Sequence, residues 1–165
     1  MQTEAAQTFV GENQVNLACF ETEGRLYALD VSQVREIVRS QEVTPLPMAP
    51  SLIEGVVDLR GAVIPVLDLA RVLGGTPPEE TAQSRIVVLD CDGLVLGLFV
   101  ASATDVLSVD ASRLEDVPEL ASQAGYDAVR HVVRRPDAAP VMVLSLEHIL
   151  ENVYKSAIAG PEESR

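Results

Sequence analysis

Tryptophan is absent, and three tyrosines and three phenylalanines make up the whole aromatic complement of this 165-residue chain. A nucleic-acid platform needs aromatic faces interleaved with basic side chains, so that bases stack while phosphates are neutralised. Phe20, Tyr27 and Phe99 have no such neighbours and read as core. Basic residues are scarce as well: 12 Lys and Arg face 25 Asp and Glu, for a formal charge of -13. A surface of that sign repels phosphate and anionic lipid. The single basic cluster, Arg130, His131, Arg134 and Arg135, fits a hairpin rim, and no nucleic-acid partner is expected. The two cysteines, Cys19 and Cys91, sit in apolar, strand-like stretches and read as buried free thiols rather than a bridge. No apolar run approaches the roughly 20 residues of a membrane span, and no basic segment precedes an apolar leader. The expectation is a cytoplasmic protein without direct membrane insertion.

Catalytic patterns are missing too. His131 and His148, the only histidines, fall in different elements and have no cysteine or acidic cluster at metal-ligand spacing. There is no GxSxG elbow and no GxxxxGK loop, and Gly55, Gly61, Gly74 and Gly75 lie too far apart to cradle a phosphate. The carboxylates nearest the centre of the chain, Asp58 and Asp68, have local roles as a polar strand face and a helix cap. The residues therefore predict no catalytic group, no cofactor and no metal.

What is present is an aliphatic chain, 47% hydrophobic, with strand periodicity. Its centre is Val56 to Leu69, VVDLRGAVIPVLDL. Alternation puts Val57 and Leu59 on one face, and Val56, Asp58 and Arg60 on the other. Gly61 allows a sharp reversal into a second apolar run, a hairpin pattern. Arg60 ends a buried element with a charge that could neutralise Asp58 or Glu54, or lend its long stem and planar cation to a partner groove. Val34, Ile37, Val56 and Val63 are the apolar candidates around such a groove.

In chain order, Met1 to Gln14 reads as a polar leader. Strands follow at Val15 to Phe20 and Arg25 to Asp30 around a Glu23-Gly24 turn. A helical turn spans Val31 to Val34 before a further strand that Pro45 and Pro47 keep extended. Asp68 caps a short helix, Leu69 to Leu73, which Gly74-Gly75 stops. Gly74 to Gln83 lacks apolar periodicity and reads as a crossing segment. Arg85 to Cys91 and Leu94 to Val100 flank an Asp92-Gly93 turn, and Asp105 to Val109 is another strand. A long acidic connection with a helical turn over Leu114 to Gln123 leads to strands at Val129 to Arg134 and Val141 to Leu144. Ser145 caps a last helix striped with Leu146, Ile149, Leu150 and Val153.

VLDLARVL (66–73) is echoed by VLSLEHIL (143–150) at a shift of 77 residues, and REIV (35–38) more faintly by TDVL (104–107). The echoes predict a two-lobe, mainly β chain whose lobes share burial that neither half-sized core supplies alone.

ALDVSQVREIV followed by TPLPMAPSLIEGVVDLRGAVIPVLDLARVLG resembles the CheW family of chemotaxis adaptors, with RIVVLDCDGLVLGLFV and VMVLSLEHIL extending the likeness. The resemblance implies one domain over 15–150, built from two SH3-like β-barrel subdomains packed together with a C-terminal helix. The approximate division is 25–83 for one subdomain and 15–24 with 84–150 for the other, with a helical extension and polar tail over 151–165. It implies a noncatalytic scaffold joining the cytoplasmic tips of methyl-accepting chemoreceptors to a CheA-type histidine kinase. Weak homotypic or ring contacts, and association with membrane receptor arrays through protein partners, belong to the same expectation. An adaptor for another kinase pathway, controlling motility or development, is the alternative. Arg60 would help order the receptor-facing or inter-lobe region, Gly61 would allow the adjoining turn, and Val34, Ile37, Val56 and Val63 would support the recognition surface. The second half departs from the family pattern. Ala101 stands where an acidic residue is usual and Ser145 where an aspartate is, which bears on partner selectivity.

Overall fold

The computed structural model describes residues 13–118 and 128–159, with side chains described as far as 155. Strands β1 (Gln14–Thr22) and β2 (Arg25–Asp30) form a hairpin whose Glu23 and Gly24 have φ of 53° and 74°. Positive φ at both central positions makes a turn whose twist matches that of the flanking strands. Asp30 accepts a hydrogen bond from the Ser32 amide (2.8 Å) and so caps the single 3₁₀ turn Val31–Gln33, which leads into β3 (Val34–Arg39). β4 (Ile53–Leu59) and β5 (Ala62–Asp68) are the central hairpin, and α1 (Leu69–Val72) follows. β6 (Arg85–Cys91) and β7 (Leu94–Val100) meet at the expected Asp92-Gly93 turn. β8 (Ser102–Asp110), β9 (Glu115–Asp116), β10 (Val129–Arg135), β11 (Ala138–Leu144) and α2 (Leu146–Ala159) complete the order.

Of the helical turn expected over Leu114 to Gln123, the described part, Leu114 to Pro118, is not helical. Asp110 accepts from the Ser112 amide (2.9 Å), so the turn forms at Ala111–Arg113. Glu115 and Asp116 are instead drawn out as β9 against β10, where Glu115 pairs with Arg134 at 2.8 Å. Residues 119–123 of that expectation lie outside the described residues, as does the polar leader up to residue 12.

Two sheets result, ordered β8-β1-β2-β11-β10-β9 and β3-β6-β7-β5-β4. Each is antiparallel except at its middle, where β11 runs parallel to β2 and β5 parallel to β7. The approximate division at 24/25 and 83/84 does not follow the sheets. β2 stays with β1 through their tight turn, while β6 and β7 join β3, β4 and β5. By strand membership one subdomain is 34–100 and the other is 14–30 with 102–144.

Each sheet has a small cluster of its own. Leu17, Cys19, Ala28, Val109, Val133, Val141 and Val143 form the first; Val57, Ile64, Val66, Ile86, Val88 and Phe99 form the second. The largest cluster lies between the sheets: Phe20, Tyr27 and Leu29 from one meet Leu67, Leu89 and Leu98 from the other, with Leu146 and Ile149 of α2. Alternation sends odd residues of a strand to one cluster and even ones to the other, as Val66 and Leu67 do on β5. Burying both faces in this way lets two half-sized sheets share one substantial core.

Candidate docking surface

The β4–β5 turn is built from the backbone up. Arg60 and Gly61 have φ of 52° and 88°, and Asp58 Oδ1 accepts from the Gly61 amide at 2.9 Å. The β6–β7 turn repeats the device, with Asp90 Oδ1 accepting from Gly93 at 2.9 Å. A non-glycine residue held at positive φ is unusual, and here it aims a long cation outward. Asp58 is occupied by the turn, and Glu54 pairs with Arg71 Nε at 2.5 Å. Arg60 therefore pairs with neither, contrary to the expectation from sequence. Its guanidinium reaches Glu36 on β3.

That pairing matters because β3 and β4 are the two ends of the strand order. A second link joins the same ends. Thr44, beyond β3, exchanges two backbone hydrogen bonds of 2.9 Å with Val56 on β4. Gly55 permits this approach: its φ is 156°, and a Cβ there would lie 2.7 Å from the Thr44 carbonyl carbon. The five-stranded sheet is thus closed on itself by one backbone bridge and one ion pair. An exposed pair contributes only about 0–1 kcal/mol, so the Arg60–Glu36 contact matters as a positioning device more than as a source of stability.

The candidate side chains separate into two groups. Val56 is half-buried and Val63 is 66% exposed, and both face away from the sheet's own cluster on the β4–β5 hairpin. Pro65 sits opposite Val56, and Asp58 opposite Val63. Val34 is packed against the shared core, so it is support rather than surface. Ile37 is 40% exposed, but on β3, at the other end of the strand order. Glu36, Thr44 and Gly55, which close the sheet, were not among the sequence candidates. A glycine inside the strand pattern was the one available signal, since such a residue often marks close backbone approach.

Both predicted caps form. Asp68 Oδ1 accepts from the amides of Ala70 (2.9 Å) and Arg71 (3.3 Å). Burial pushes its pKa above the ordinary 3.8, and those two hydrogen bonds oppose the rise. Ser145 Oγ accepts from the His148 amide at 3.3 Å and lies 2.8 Å from His148 Nδ1. Both cysteines are free; Cys19 is buried, which raises its thiol pKa and leaves it little thiolate character, while Cys91 is half-buried. Among the described residues no helix is long and apolar enough to cross a membrane.

A model of the CheW-like domain family matches residues 16–153. The chain belongs to the CheW-like family. It is 30% identical over 141 residues to a probable chemotaxis protein CheW of Rhizobium etli, covering 86% of this chain and 90% of that one. The chemotaxis protein CheW of Bacillus subtilis is 32% identical over 130 residues, with 79% and 81% covered. The crystal structure of the scaffolding protein TtCheW from Thermoanaerobacter tengcongensis superposes with a TM-score of 0.73 at 27% identity, covering 82% of this chain and 86% of that one. The two sheets are accordingly the two SH3-like subdomains of the CheW-like fold. The family is one of noncatalytic scaffolds.

Proposed function

We propose that this protein is a chemotaxis coupling protein, holding the cytoplasmic tips of methyl-accepting chemoreceptors and a CheA-type histidine kinase in one assembly. It does so in the cytoplasm, at receptor arrays it reaches through protein partners. The observation that carries the reading is the β4–β5 hairpin: an outward apolar face, Val56 and Val63, ends in a fixed and 68% exposed Arg60. An exposed apolar face with a charged end suits recognition of a partner surface. Stoichiometric recognition follows, with apolar strand faces burying against partners while the surrounding charges choose register and reject wrong partners. Two subdomains of related strand order provide two similar but unequal faces, which suits a part that must touch two different neighbours.

Arg60→Glu is the test. It sets a carboxylate against Glu36, and co-assembly with a receptor cytoplasmic fragment and kinase should weaken by about tenfold or more. The melting temperature should move little, because the pair is exposed. Adding Glu36→Arg restores opposite charges. Recovery of binding in the double variant identifies Arg60 as a positioning residue, and continued loss identifies a direct contact. Wild-type protein that binds neither receptor fragment nor kinase would overturn the proposal.

A further inference from the structure

The β1–β2 turn carries an uncommon residue. Glu23 stands at φ 53° before Gly24 at 74°, in a two-residue turn where asparagine or aspartate before glycine is the usual pair. Positive φ is a strained conformation for a glutamate. What its longer side chain reaches lies on the other subdomain. Glu23 Oε2 accepts from the Thr76 amide at 3.3 Å, across 53 residues of sequence. The carboxylate also fills the space a side chain would need at Gly75, where a Cβ would lie 2.7 Å from Glu23 Cδ. Gly75 has no positive φ, and the left-handed position that ends α1 is Gly74 at 89°. Position 75 is therefore glycine for the room it leaves to Glu23, not for its own backbone.

Thr76 begins the strap 76–84 between α1 and β6. The far end is held: Thr81 N donates to Ser84 Oγ (2.9 Å), Ser84 N to Thr81 O (3.1 Å) and Ser40 N to Ser84 O (3.2 Å). Between the ends, residues 77–80 make no hydrogen bond or ion pair with the described residues. Pro78 and Glu80 form one wall of a recess of about 290 Å³ whose other sides include Glu54, Asp68 and Phe99. Glu80 shares that recess with two further carboxylates, so charge does not draw the strap down.

We propose that Glu23 is a latch for this strap. Seated on Gly75 and Thr76, it holds the strap closed over the Asp68 recess, and its release lets residues 76–84 open as one local unit while both sheets stay folded. The scale suits such a device. One hydrogen bond alters a local opening equilibrium by about twofold to tenfold, and the core shared between the sheets is untouched by it. The latch is independent of what the docking surface binds.

The experiment compares the full chain with Glu23→Asn, Gly75→Ala and Glu23→Gln. Three quantities are read: amide exchange at Thr76, cutting after Glu79 and Glu80 by a glutamate-specific protease, and thermal melting. Asparagine suits positive φ but is too short to reach Thr76. Glu23→Asn should therefore melt at or above the wild-type temperature, while exchange and cutting quicken together by about twofold to tenfold. Gly75→Ala should quicken both without touching the turn, because its Cβ displaces the carboxylate. Glu23→Gln keeps the length and an acceptor oxygen, so it should stay within about twofold of wild type. Unchanged Thr76 exchange in both Glu23→Asn and Gly75→Ala overturns the latch. Faster exchange with unchanged cutting overturns it as well, since the strap would then stay shut. A matching rise at the Leu73 amide, bonded to Leu69 O at 3.0 Å, would put the change in α1 and count equally against it. Glu23→Gln as fast as Glu23→Asn, or a lowered melting temperature for Glu23→Asn, would assign Glu23 to the turn and sink the proposal.

Discussion

Set side by side, the two sheets are the same object assembled twice. β3-β6-β7-β5-β4 corresponds position for position to β8-β1-β2-β11-β10, down to the parallel pair in the middle. β5 runs into α1 past Asp68, and β11 runs into α2 past Ser145. Chain order, however, does not respect the sheets. The first half of the chain supplies the hairpin β1–β2 and the triplet β3, β4 and β5; the second supplies β6–β7 and the triplet β8, β10 and β11. Each sheet takes its triplet from one half and its hairpin from the other. The unit that repeats in sequence is therefore not the unit that folds.

The largest expected effect follows from that exchange. Residues 13–80 expressed alone hold β1–β2 without the triplet it pairs with, and β3, β4 and β5 without β6–β7. Residues 81–159 have the complementary deficit. Each fragment should be unfolded by circular dichroism and amide dispersion, and mixing the two should recover a folded heterodimer. A fragment that folds alone would show that the halves are self-sufficient and break the comparison.

The same exchange explains what could be read from the sequence and what could not. The echoes at 66–73 with 143–150 and at 35–38 with 104–107 fall on β5–α1 with β11–α2, and on the two edge strands β3 and β8. Strand existence, facing and turn position are local properties, written in period-two alternation, in the Gly at positions 24, 61 and 93, and in the caps. Which hairpin pairs with which triplet is a long-range choice that no local pattern states, so strands are legible in the sequence while the division between the sheets is not. Arg60 illustrates the same limit at the scale of one side chain. Its exposed, turn-end position was legible, but its partner sits 24 residues away on a strand that only closure of the sheet brings near.

Next in size is a difference between the two closing edges. In one sheet β4 passes the Thr44 segment through Gly55; in the other, β10 faces β9 with His131 and Val132, full side chains opposite Asp116 and Glu115. The second edge is also a backbone pairing, to which the His131–Asp116 contact and the Arg134–Glu115 ion pair are added. Gly55→Ala must displace backbone at Thr44 and strain an extended, positive φ, so it should cost about 2–4 kcal/mol. Glu115→Ala removes only an exposed pair and should cost about 0–1 kcal/mol. Urea midpoints at constant slope measure both. Equal losses would mean that the close approach at Gly55 carries no more of its edge than an exposed ion pair carries of the other.

The smallest contrast, and the most specific, is between the caps. Asp68 satisfies two helix amides where Ser145 reaches one at 3.3 Å. Replacement by alanine should cost about 1–2 kcal/mol at 68 and about 0.5–1 kcal/mol at 145. Asp68 adds a pH signature that serine lacks. Burial raises its folded pKa above the unfolded value near 3.8, so the folded state holds the proton more tightly. Its contribution favours folding below the unfolded pKa, and that benefit is lost as pH rises through the folded pKa. Asparagine keeps the acceptor and does not titrate. The stability of Asp68→Asn relative to wild type should therefore climb from pH 3 toward pH 7, whereas Ser145→Asn should show no such trend. Taking the difference between variants cancels the background titration of the other acidic residues. Parallel curves for Asp68→Asn and wild type would mean that burial of this carboxylate costs nothing, and that the two caps differ only in the number of amides they satisfy.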